Sequence, residues 1–72
     1  MKDPLEMIQT CQETGEPIFV LRAQDKCSVA AIAAYNVACA LLNVDKEQLY
    51  ETQHIFTEFI QWQGENNVKL PD

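Results

Sequence analysis

Val29-Ala-Ala-Ile-Ala-Ala-Tyr-Asn-Val-Ala-Cys-Ala-Leu-Leu42 is the stretch that decides the fold. Only Tyr35 and Asn36 within it are neither aliphatic nor cysteine, and alanine, the strongest helix former, fills six of its positions. The pattern predicts a helix that is apolar around nearly its whole circumference, as in a helix meant to be covered on several sides. Asp25 or Ser28 can cap its start, and Asn43 can take the left-handed position that closes it near Leu42.

On the N-terminal side of that helix, Ile18-Phe-Val-Leu-Arg-Ala23 is β-branched and aromatic at its start and alternates enough for a short strand or extended segment. Ile18, Val20 and Arg22 fall on one face, and Phe19, Leu21 and Ala23 on the other. A lone strand leaves its backbone groups unpaired. It must therefore pair with Val68-Lys69-Leu70, pair with its counterpart in another subunit, or lie extended on the helices.

Further out, Asp3-Pro4-Leu5-Glu6 reads as a capping box with proline at the first helical position, so a first helix should run to about Gln12. Gly15 stops it and Pro17 prevents its return. Asp45-Lys46-Glu47-Gln48 is a second capping box. Leu49, Thr52, Phe56, Phe59 and Gln63 follow at helical spacing, predicting a third helix that reaches about Gln63 and stops at Gly64. Its other face, with Glu47, Glu51, His54, Glu58 and Gln61, is a solvated stripe. Two apolar residues flank Lys69, so the tail should be docked. The fold class is thus mainly α: a three-helix domain, with one short strand or extended segment at residues 18–23.

The 72 residues suffice for one domain, and a domain of that size buries only about 60% of its unfolded surface. In a chain of this length two other helices cannot cover the central one. It is therefore expected to associate with copies of itself through Val29, Ala30, Ala33, Ala34, Val37 and Leu41. The competing reading places it between the other two helices with its alanines simply at the surface.

Eleven acidic residues against five basic ones give a net charge of −6, which repels the phosphate backbone and excludes general binding of duplex nucleic acid. A local basic pocket for a small anion remains open. Cys11, Cys27 and Cys39 lack the spacing of metal-ligand pairs, and His54 is the sole imidazole, so neither a metal site nor a cofactor is expected. With no leader-like segment and no apolar run of about 18 residues, the reading is a reducing, cytoplasmic compartment without membrane association.

Two of the five basic residues, Arg22 and Lys26, lie where the apolar run gives way to the alanine-rich helix. Arg22 offers a planar donor fork, Gln24 an amide, Lys26 a point charge and Ser28 a hydroxyl beside the N–H groups of a helix start. Tyr35 could stack on a ring. Together they suit a phosphorylated ligand, although Asp25 could neutralise the cations and merely cap the helix. There is no glycine-rich phosphate loop. His54, flanked by Glu51 and Glu58, could serve as a base but has no nucleophile at readable spacing, so the chain is read as non-enzymatic.

Through Phe19-Val-Leu-Arg-Ala-Gln-Asp25, then Ala30 to Tyr35, Trp62 and the ending Val68-Lys-Leu-Pro-Asp72, the chain resembles a family of small bacteriophage and prophage proteins. The resemblance implies a helical phage accessory protein working in the bacterial host cytoplasm. Some phage proteins of this size form oligomers that sequester the cyclic-nucleotide or ADP-ribose-type signals of antiviral defence. The expectation is a homo-oligomer that takes such an anion at Arg22, Gln24, Lys26, Ser28 and Tyr35. The alternative is an adaptor or inhibitor that binds a host protein.

Overall fold

The computed structural model describes residues 3–70 and consists of three helices: α1 (Pro4–Thr14), α2 (Ser28–Leu41) and α3 (Lys46–Glu65). The architecture is mainly α, as the sequence predicts.

Most helix ends have a local cause, but the start of α2 does not have the side-chain cap expected from Asp25 or Ser28. Cys27 stands at the capping position with no side-chain bond to the helix, because the Asp25 carboxylate is spent on Cys27 N and the Ser28 hydroxyl on Asp25 O. The Asp3 side chain accepts a hydrogen bond from Leu5 N, Pro4 opens α1, and Gly15 closes it at φ 78°. The Asp45 carboxylate accepts from Gln48 N, three residues on, at 2.8 Å. Asn43 takes the left-handed conformation, φ 57°, in the turn after α2. Gly64 does not end α3 as expected. With nothing within 4 Å of where its Cβ would stand and no left-handed backbone, it stays helical, and the chain leaves the helix only at the extended Asn66.

Residues 18–23 form no strand: 18–22 have no regular structure, and Ala23 already lies in the turn that Asp25 N closes by donating to Arg22 O (3.1 Å). The tail docks, but one step later than the segment expected to receive it. Lys69 N donates to Gln24 O (2.9 Å) and Lys26 N donates to Lys69 O (2.8 Å), a single parallel bridge centred on Asp25.

α2 lies against α3, whereas α1 packs against neither. The face of α2 turned to α3 carries Ser28, Ile32, Asn36 and Cys39. Among the described residues Cys39 is the one apolar side chain in the fully buried class, at 6% exposure, and Asn36 Oδ1 is buried without a donor. The chain exposes 5967 Å². A folded monomer of its mass, 8.2 kDa, ordinarily exposes about 4,500 Å². Its radius of gyration, 13.5 Å, likewise exceeds the roughly 11 Å usual for this length.

Candidate functional site

What the apolar interior lacks, the junction before α2 supplies with polar bonds. The carboxylate of Asp25 accepts from Cys27 N at 2.7 Å, while its carbonyl accepts from both Ser28 N (3.0 Å) and Ser28 Oγ (2.7 Å). From α3, the Gln63 amide reaches back across the gap. Its Nε2 donates towards Ala23 O (3.0 Å), Asp25 O (3.1 Å) and Ser28 Oγ (3.3 Å). Two protons shared among three acceptors pin the turn to α3 at one point. The tail then clamps the same turn from the other side.

This closure separates the residues that the sequence suggests for an anion. Ser28 is at 0% exposure with its hydroxyl engaged on both sides, so it is a structural group and not a ligand contact. The Asp25 carboxylate accepts from Cys27 N, one residue before α2, and its carbonyl takes the N–H of Ser28, the first residue of the helix, so that donor is not open to an external anion. Tyr35 lies elsewhere, over an apolar depression with Leu21, Ile32, Thr52 and Ile55. Its hydroxyl pKa is raised, chiefly by the neighbouring Cys39 thiol, so it remains a neutral hydrogen-bonding group. Lys26 has its backbone tied to the tail and lies outside the groove described next; its side chain is exposed.

Arg22 and Gln24 do come together. They line an open groove of about 280 Å³ with Phe19, Asp25, Lys69 and Leu70. No acceptor among the described residues meets the Arg22 guanidinium. Phe19 is 82% exposed beside it, a bare aromatic face next to a bare cation. Lys69 and Phe19 are the members that sequence reading missed. Lys69 is 47 positions from Arg22 and reaches the groove only because the tail bridges to Gln24 and Lys26. Phe19 was legible as an exposed aromatic only once the strand was known to be absent.

The residues expected at a subunit interface divide. Ala30, Ala34, Val37 and Leu41 form one uncovered stripe on α2, with Leu41 75% exposed, while Val29 and Ala33 are half-buried. His54 Nε2 sits 2.8 Å from Glu58 Oε1 on the exposed face of α3, four residues apart and open to solvent. Among the described residues no group of acidic, cysteine or histidine side chains is arranged to hold a metal ion, and no helix is long and apolar enough to cross a membrane. Compared with protein-family models, curated proteins and solved structures, the chain finds no match.

Proposed function

We propose that the protein is a non-enzymatic, self-associating binding protein that holds a small phosphorylated, nucleotide-type ligand in the Arg22 groove. The exposed Arg22 guanidinium, which meets no acceptor among the described residues, carries this reading. A cation so placed, on a turn fixed by the Gln63 amide, is preorganised for an external oxyanion. Lys69 adds charge, Gln24 an amide, and Phe19 a face on which a base can stack. A groove of about 280 Å³ has room for one phosphoryl group and one ring, so a cyclic dinucleotide or an ADP-ribose derivative would call on grooves from two copies. Taken with the resemblance to phage proteins, such binding would act by depleting a defence signal in the bacterial cytoplasm.

Isothermal titration with AMP, cyclic dinucleotides and ADP-ribose, against inorganic phosphate as a control, tests the proposal. Binding by at least one nucleotide, weakened about tenfold or more in Arg22→Ala, is expected. Absence of heat for the whole panel overturns it.

The second reading, an adaptor or inhibitor for a host protein, draws on the uncovered apolar stripe of α2. Under it, Arg22→Ala leaves protection of a phage intact, whereas Leu41→Glu abolishes it.

A further inference from the structure

An 11-residue helix without tertiary support is marginal in water. Yet α1 is specified at both ends, by Asp3 and Gly15, and it presents Leu5 at 75% exposure with Met7 and Ile8 beside it. Neither other helix covers that stripe, since α1 meets neither α2 nor α3, and Leu5 and Met7 stay exposed while Ile8 is half-buried. The outer stripe of α2 is bare in the same way.

We propose that α1 is an exchanged arm, docking its Leu5–Ile8 stripe on the Ala30-Ala34-Val37-Leu41 stripe of a second copy, which returns its own α1 across a two-fold axis. This rests on the self-association proposed above and is independent of the ligand.

Three observations select a second copy as the occupant. The first is area: the chain exposes roughly 1,400 Å² more than a monomer of its mass, and burying that on each of two copies gives about 2,800 Å², within the range of obligate dimers. The second is shape, since large side chains on α1 face small ones on α2, the pairing that lets ridges enter grooves. The third is charge. α1 carries Glu6 and Glu13, and α2 is the one helix without a charged residue, while the outer face of α3 would meet α1 with Glu47, Glu51 and Glu58. The linker permits the exchange: after the left-handed Gly15, residues 16–20 pass through Pro17, and five residues can span up to roughly 17 Å.

The test uses the intact chain, mixed as isotope-labelled and unlabelled copies, with isotope-filtered NOEs between the methyls of Leu5 or Ile8 and those of Ala34 or Val37, alongside sedimentation. Intermolecular NOEs in a dimer are the expected result. Leu5→Asp combined with Ile8→Asp should then weaken the dimer roughly a hundredfold while α2 and α3 keep their chemical shifts. A dimer whose α1 methyls show no intermolecular contact, or that survives the double substitution unchanged, overturns the arm exchange and leaves self-association standing. A single copy at hundreds of micromolar overturns both, whether α1 folds back on its own α2 or the stripe awaits a different protein.

Discussion

The turn that leads into α2 and the helix that precedes it are opposites. At the turn the backbone is held by polar groups: Asp25 accepts through carboxylate and carbonyl, Ser28 is sealed, Gln63 spans three acceptors and the tail adds two backbone bonds. In α1 the caps are as good, but the apolar stripe meets no other helix. The contrast teaches that a chain with almost no apolar interior can still fix one region by polar closure, because a hydrogen bond shielded from water is costly to break without replacement. Apolar surface without a partner, by comparison, fixes nothing until something arrives to cover it.

The sharpest way to break this contrast is Gln63→Ala, which removes all the side-chain bonds from α3 to the turn at once. It should cost about 2–3 kcal/mol in urea unfolding followed by circular dichroism. An unchanged midpoint would mean that polar closure does not hold the turn. Ser28→Ala should cost about 1–2 kcal/mol, and because Ser28 Oγ is shared with Gln63, the double variant should cost less than the two singles together. Additivity in that cycle would separate the two groups.

Caps of similar chemistry then compare the regions directly. Asp45→Ala should lower global stability by about 1 kcal/mol. Asp3→Ala, which removes the corresponding bond from α1, should leave unfolding of α2 and α3 unchanged and weaken only the assembly, measured by sedimentation. Equal losses of global stability would show that α1 is already coupled to the rest of the chain.

The smallest effect concerns Cys11. Partial cover, and then the Glu16 carboxylate 3.6 Å away, push its thiol pKa up, so it stays protonated over a wider range of pH. Glu16→Gln should speed its alkylation by a few-fold near neutral pH, read by mass spectrometry of the modified peptide. An unchanged rate would remove Glu16 as a cause.

Much of this was legible along the chain. Asp3, Asp45 and Gly15 announce their helix ends because capping is a local event involving groups within a few residues of one another. The bare stripe of α2 was likewise visible in composition, since a helix without a charged residue in a short chain has too little protein to cover it. The Arg22 groove was only half legible. Arg22 and Gln24 could be named from the junction, but Lys26 and Ser28, named with them, lie outside the groove, Ser28 fully buried, and Tyr35, named as a polar residue on α2 able to stack, lies on a different face.

The sequence alone therefore determined three helices, the caps at Asp3, Gly15 and Asp45, and an excess of apolar surface, while the start of α2 and the end of α3 departed from it. Only the tertiary structure decided that residues 18–23 form no strand, that Gln63 and Lys69 close on the turn before α2, and that the exposed Arg22 meets no acceptor among the described residues. Those outcomes depend on contacts about 40 positions apart, whose pairing is chosen by which polar groups would otherwise be buried unsatisfied.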